Sequence, residues 1–136
     1  MARGDKPAGT RVRTAKGRTA QSTRWLARQL NDPYVKRAKA EGYRSRAAYK
    51  LIELDEKYQL LRGASHVVDL GIAPGGWSQV VRKQVPKAAV VGIDLLPVDP
   101  IPGVTIFEMD FMADEAPDRL LEALGDAPDL VLSDMA

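Results

Sequence analysis

An open α/β fold, with helices packed on a parallel sheet that holds its ligand at the carboxyl ends of the strands, is predicted by three observations. Apolar runs of strand length at Val67-Val68-Asp69-Leu70, 88–94, 104–109 and 130–132 alternate with segments of helical period. The first run breaks into Gly71, Gly75 and Gly76 and then resumes as a helix, so a strand leads through a tight loop into a helix start. Asp69, Asp94, Asp110 and Asp134 stand at the ends of the four runs, where such sheets bind ligands. One such residue alone reads as a turn former or a cap; four in register do not.

Length and composition fit this class. The 136 residues suit one domain of modest core, and 45% hydrophobic with 28% charged residues is ordinary for a globular chain. With no cysteine and a single histidine, His66, neither a disulfide framework nor a thiolate or zinc site is expected, and a reducing cytoplasm fits. No apolar run approaches the roughly 20 residues of a membrane span, and the basic N-terminus lacks the apolar core of a signal peptide. No membrane partner is therefore expected.

Charge divides the chain sharply. Residues 1–50 carry 14 Lys and Arg against 3 Asp and Glu, whereas residues 51–136 carry 6 against 15. A basic arm joined to an acidic domain suits a polyanion gripped outside the pocket, most simply RNA; the alternative is a solvated, solubilising tail.

Residues 1–21 hold almost no large apolar groups and are expected to be a disordered basic arm. Residues 22–44 read as a basic helical segment: a short helix with Trp25, Leu26 and Leu30, a turn at Asn31-Asp32-Pro33, and a second helix starting near Tyr34. Arg24, Arg28, Lys36 and Arg37, interleaved with Trp25 and Tyr34, are candidate RNA contacts, as are Arg44 and Arg46. The α/β domain proper is placed at residues 45–136.

Ser45 is the expected N-cap of a helix from Arg46 to about Tyr58, whose stripe Ala47, Leu51, Leu54 and Tyr58 is expected to pack on the sheet. Lys50 falls at the edge of that face. A crossover helix is expected from Ser78 to Gln84, ended by Pro86, and a second from Asp118 to Leu124. Pro97, Pro100, Pro102 and Gly103 impose a loop between the second and third runs.

The glycine loop points to a nucleotide-like ligand, but its spacing differs from the dinucleotide fingerprint. A pyrophosphate needs free backbone N–H groups and no adjacent anion; Pro74 removes a donor and Asp69 adds a carboxylate. Both features favour a cationic ligand such as S-adenosylmethionine, which carries a sulfonium and an ammonium beside an adenosine. Asp94, at the end of the second run, suits the ribose hydroxyls, and Asp110 the adenine amino group.

Taken in order, Ser45-Arg46-Ala47-Ala48-Tyr49-Lys50-Leu51, the Asp69–Gln79 loop, Asp94-Leu95-Leu96-Pro97, Asp110-Phe111 and Ser133-Asp134-Met135-Ala136 resemble the FtsJ-like RNA ribose 2′-O-methyltransferases, and among them those of bacterial large-subunit ribosomal RNA. The resemblance runs from about Ser22 to Ala136. It implies a Rossmann-like S-adenosylmethionine-dependent methyltransferase fold, here incomplete, with its first four strands and a basic N-terminal extension. It implies S-adenosylmethionine contacts at Gly75, Trp77, Asp94, Asp110 and Asp134, beside Asp69, Gly71 and Gly76 of the loop. It also matches Lys50 and Asp134 to two members of a catalytic Lys-Asp-Lys-Glu set, the other two lying beyond Ala136.

The function so implied is methylation of a ribose 2′-hydroxyl, on a uridine of ribosomal RNA within the large subunit, by a cytoplasmic monomer. No metal is part of it. Because the first and fourth strands of such a sheet are neighbours, Asp134 is expected beside the Gly71 loop, with Lys50 approaching from the preceding helix. The 136-residue chain alone is expected to be inactive, its fourth strand lacking a neighbour. Three alternatives stay open: a ribose methyltransferase acting on transfer RNA or an mRNA cap, a non-catalytic RNA-binding module with a vestigial pocket, and a dinucleotide-dependent oxidoreductase, the last disfavoured by Pro74.

Overall fold

The computed structural model describes Arg24 and residues 32–134, and the chain falls into two units that meet between Gly42 and Tyr43. Arg24 is helical and exposed; Arg28, the expected 1–21 arm and the helix around Trp25 otherwise lie outside the described residues.

In the first unit, α1 (Pro33–Glu41) starts where the Asn-Asp-Pro turn predicts. Asp32 Oδ1 accepts from the Tyr34 N–H at 2.7 Å and from that of Val35 at 3.4 Å, and Pro33 opens the first turn, where its missing N–H costs nothing. Gly42, at φ 86°, closes the helix in the left-handed conformation that glycine adopts most easily.

The second unit is an α/β layer structure: α2 (Ala47–Tyr58), β1 (His66–Leu70), α3 (Gly76–Gln84), β2 (Ala89–Asp94), β3 (Val104–Glu108), α4 (Ala116–Leu124) and β4 (Leu130–Ser133). The strands form one parallel sheet in the order β3-β2-β1-β4, so the chain winds outward through β2 and β3 and then returns to the other side of β1. Leu70 is in register with Ile93 on one side and Ser133 on the other. The carboxyl ends of β1, β2 and β4 are thereby aligned, and the reversal of strand order puts a crevice above β1 and β4. Element ends differ from the sequence expectations by one or two residues, most visibly at α3, which starts at Gly76 rather than Ser78.

Two apolar clusters cover the two faces. One joins Ala48 and Leu51 of α2 with Leu61, Val67, Trp77, Val80, Val81, Val90 and Leu132; the other joins Val68, Val91 and Leu124 of α4. Burying Val67, Val80, Val81, Val91 and Ile93 completely contributes roughly 1.5–3 kcal/mol per side chain before entropy.

The stripe expected on α2 holds in part, with Leu51 buried and Ala47 and Leu54 half-buried. Ala48, Tyr49 and Leu51 are the buried residues, while Tyr58 is 58% exposed. The cause lies at the helix start, where Trp77 Nε1 donates to the Ala47 carbonyl at 2.8 Å and fixes which side meets α3. Ser45 is not the cap: the N-cap is Arg46, and no side chain satisfies the first turn.

Close backbone approach sets the loop after β1. Gly92 on β2 faces Ile72, so a Cβ there would run into Ile72 Cδ1 and stand 2.9 Å from Ile72 Cβ, which is itself buried. Gly92→Ala should therefore destabilise the protein by about 1–3 kcal/mol, as overpacking does. Urea unfolding of the longest reading frame that contains this chain should show a lower midpoint at unchanged slope; an unchanged midpoint would mean that the Ile72 loop yields without cost.

Candidate active site

The crevice is built from the turn after β1. Gly71 leaves the strand at φ 72°, and its N–H and that of Ile72 both donate to the Ile93 carbonyl, at 2.9 and 3.2 Å. Gly75 takes φ 124° as the N-cap of α3, a conformation that L side chains rarely adopt, and a Cβ there would lie 2.6 Å from Ile101 Cδ1. A Cβ on Gly76 would lie 2.7 Å from Ser45 Oγ. Here the glycines make room for neighbouring segments as well as for a ligand, and the pocket runs between the loop and the start of α2. Its walls include Asp69, Gly71, Ala73, Pro74, Gly76 and Trp77, with Ser45, Ala47 and Asp134 on the facing side.

Asp69 is the electrostatic centre. It is 2% exposed, in the penultimate position of β1, and its Oδ2 accepts from the Ser78 hydroxyl at 2.7 Å. Burial pushes its carboxyl up to about 6, against the help of Ser78, and the nearby charges of Asp134 and Asp94 push in the same direction. Ser78 is itself fully buried on α3, a partner that sequence spacing did not single out.

Asp94 ends β2 and uses both oxygens on backbone: Oδ2 accepts from Ala73 N–H and Oδ1 from Leu96 N–H, each at 2.9 Å. It thus ties the glycine loop to the loop after β2. Asp134 follows β4 and faces Lys50 of α2, Nζ to Oδ1 3.4 Å, with the lysine side chain 66% exposed and the aspartate 33%. Asp110 differs from the other three. It lies two residues past β3, is exposed, and its Oδ1 accepts from the Met112 N–H at 2.9 Å, holding its own turn. β3 is the edge strand farthest from β4, so the ends of the sheet place Asp110 and Asp134 some ~14 Å apart, three strand spacings.

Trp77 lines the pocket, yet its indole N–H is committed to Ala47 and its ring belongs to the apolar cluster, so it forms the wall and also joins α2 to α3. Ser45 Oγ is buried without a hydrogen-bond partner, a hydroxyl at the pocket wall that sequence reading had taken for a helix cap.

The candidate RNA contacts fare unequally. Lys36 and Arg37 are exposed on α1, Arg37 pairing with Glu41 at 3.2 Å, and Arg46 is exposed. Arg44 is placed differently: its guanidinium donates to three backbone carbonyls, of Pro74, Asp99 and Pro100. Among the described residues no His, Cys, Asp or Glu cluster is grouped to hold a metal ion, and no helix is long and apolar enough to cross a membrane.

Comparison with known proteins gives this geometry a family. A protein of Novosphingobium aromaticivorans named ribosomal RNA large subunit methyltransferase E is 74% identical over 136 residues, all of this chain and 61% of that protein. One of the same name from Erythrobacter litoralis is 71% identical over all of this chain and 62% of its own length. This chain spans about three fifths of the length of these curated relatives. A Plasmodium falciparum crystal structure described as a ribosomal RNA methyltransferase superposes with a TM-score of 0.62 at 40% identity, covering 69% of this chain and 57% of that one. The model of the FtsJ-like methyltransferases matches residues 43–136, the unit that holds the sheet and the pocket, and the chain belongs to that family.

Proposed function

We propose that this chain forms the donor-binding part of an S-adenosylmethionine-dependent methyltransferase that modifies a ribose 2′-hydroxyl of ribosomal RNA in the large subunit. The observation that carries this reading is Asp69: a buried carboxylate whose titration is pushed up by burial and, further, by the charges of Asp134 and Asp94. A cationic ligand relieves that field, whereas a pyrophosphate adds to it, which disfavours a dinucleotide. The residues fit S-adenosylmethionine in other respects too. Gly76 lines the pocket without a side chain, and the buried Ser45 hydroxyl beside it lacks a partner. The ~14 Å between the Asp110 and Asp134 strand ends suits an extended nucleoside with an amino-acid chain. Leu95, Leu96 and Met112, exposed by 68, 61 and 75%, offer apolar cover for a base near Asp110. The names of the relatives support ribosomal RNA as the substrate, and the excess of Lys and Arg in residues 1–50 supports a grip on phosphates.

When bound, S-adenosylmethionine supplies a methyl group on a positively charged sulfur. The chain's own contribution is position and charge. Asp69 and Asp134 set a negative field around that cation, and Asp94 holds the loop while its remaining lone pairs face ribose hydroxyls. Lys50, held toward the crevice by Asp134, presents an ammonium to the attacking ribose oxygen as negative charge builds on it. Removal of the hydroxyl proton is assigned neither to Lys50 nor to Asp134; the resemblance gives it to the second lysine of the family's set, which has no match in these residues. In-line geometry is then a matter of holding donor and acceptor together at the rim.

Two outcomes test this in the longest reading frame that contains the chain. Lys50→Ala should lower the single-turnover rate of methyl transfer to ribosomal RNA by about 10²–10³-fold, the usual cost of losing a charge-stabilising donor, at nearly unchanged donor affinity. A loss of affinity with the rate intact would assign Lys50 to binding.

Asp69 gives a pH signature. Its folded value, about 6, lies above the ordinary 3.8, so the ligand-free fold favours the protonated acid. Its contribution to stability is present below pH 3.8 and is lost as pH rises through about 6, on the order of 3 kcal/mol in all. A bound cation reverses the preference. Calorimetric affinity for S-adenosylmethionine should rise between pH 5 and pH 7 with release of a proton, and Asp69→Asn should flatten the profile. A pH-independent affinity in the unmutated protein would sink the electrostatic basis of the reading.

A further inference from the structure

We propose that Arg44 is a positioning residue of the donor site, a cross-brace between the two lips of the crevice that sets affinity for the donor and not for RNA phosphate. This rests on the reading of the crevice as a donor pocket.

Arg44 immediately precedes Ser45 and lies in the basic stretch before α2, where charge alone suggests a phosphate contact. Its surroundings suggest otherwise. Nη1 donates to the Pro74 carbonyl at 3.2 Å and to the Asp99 carbonyl at 2.5 Å, and Nη2 donates to the Pro100 carbonyl at 2.6 Å. Pro74 belongs to the glycine loop that floors the pocket, while Asp99 and Pro100 belong to the proline-rich loop between β2 and β3. Neither loop has a strand or helix partner at these carbonyls, so each depends on donors brought from elsewhere. A planar guanidinium with five N–H groups in a fixed fork can serve both at once.

Two further contacts hold Arg44 in that role. Its backbone N–H donates to Gln79 Oε1 on α3 at 2.8 Å, which anchors the start of the segment leading to Lys50. Its stem lies against the special backbone at Gly75, where a Cβ would come 3.4 Å from Arg44 Cδ and 3.5 Å from Nη1. The same gap is bridged a second time, with opposite polarity, by Asp94, which accepts N–H bonds from Ala73 on one lip and Leu96 on the other. An anion and a cation thus staple one pair of loops, and three of the five guanidinium N–H groups are committed to carbonyls, which fixes the orientation of Arg44 toward the crevice.

The test separates the two roles. In the full reading frame, Arg44→Ala should raise KM and Kd for S-adenosylmethionine tenfold or more, with kcat at saturating donor within about twofold. RNA affinity and its log–log dependence on salt should stay unchanged. Arg44→Lys should recover less than half of the loss, since a point ammonium reaches one lip at a time. Should the alanine variant fail to fold, the lysine variant, which keeps the stem and the charge, is the one compared. A purely structural role would lower the melting temperature of both variants but leave donor KM unmoved, and would overturn the proposal. So would intact donor affinity with a salt slope reduced by roughly 0.7, the mark of a lost phosphate contact. If the unmutated protein bound no donor, the reading of the crevice itself would fall, and this inference with it.

Discussion

A carboxylate buried inside a parallel sheet is the constraint from which the rest of the site follows. Asp69 cannot remain there without a partner, because removing a charged or polar group from water costs several kcal/mol unless it is hydrogen-bonded. Its one side-chain partner, the Ser78 hydroxyl, is on the first turn of α3, so the helix must begin close above β1. The turn between strand and helix is made with little side-chain volume, Gly71 and Gly75 at positive φ and Gly76 close against Ser45, while Gly92 on the neighbouring strand leaves room for Ile72. Even so, Ser78 offsets only part of the cost, and the residual imbalance appears as the raised titration.

Much of this was legible in the sequence, for identifiable reasons. All four strands were found because short β-branched runs bounded by Gly and Pro have few other solutions, and the adjacency of the first and fourth strands was expected of a doubly wound sheet. The neighbourhood of Lys50 and Asp134, 84 residues apart, came from that topology together with the family resemblance. What sequence did not disclose was rotational phase and hydrogen-bond partnership. The α2 stripe was read by spacing, but Ala47, Ala48 and Leu51 permit more than one apolar arc, and the choice is made by Trp77 bonding to Ala47 from another helix. Likewise nothing in Arg44, Ser45 or Ser78 as residue types says that the first braces two loops, the second is buried without a partner and the third holds an acid. Those assignments depend on elements more than 30 residues away for Arg44 and on burial for the serines. The same limit explains Asp110, whose position after its strand was correct but whose carboxylate serves its own turn.

The loops around the crevice are held mostly by polar contacts. Ile101 and Ile72 are buried, but the Ala73–Gly76 and Leu95–Gly103 segments otherwise meet through bonds to Asp94 and Arg44 that are partly exposed. Such contacts contribute about 1 kcal/mol each, so the lips are far less constrained than the sheet below them. A binding site gains from that division. The buried Asp69 holds its place at fixed depth, while the lips can close on a ligand at modest cost.

The charge asymmetry of the chain acquires a mechanical sense on the proposed reading. A pocket lined by Asp69 and Asp134, with Asp94 behind its glycine loop, would attract a sulfonium and repel a phosphodiester, so the two substrates make opposite electrostatic demands on a single crevice. The demands are reconciled by depth. Asp69 is nearly inaccessible and acts on whatever lies within the pocket, whereas Lys50, two-thirds exposed at the rim and 3.4 Å from Asp134, shields the outermost carboxylate from the incoming strand. The Lys and Arg excess of residues 1–50 supplies, on the same reading, the positive charge that a phosphate backbone requires. A ribose hydroxyl is neutral and small, and it can cross from the basic environment to the acidic one where a phosphate would not. The proposed role of Lys50 belongs at that crossing, where a side chain paired with Asp134 would both complete the electrostatic boundary and meet the oxygen as its charge develops.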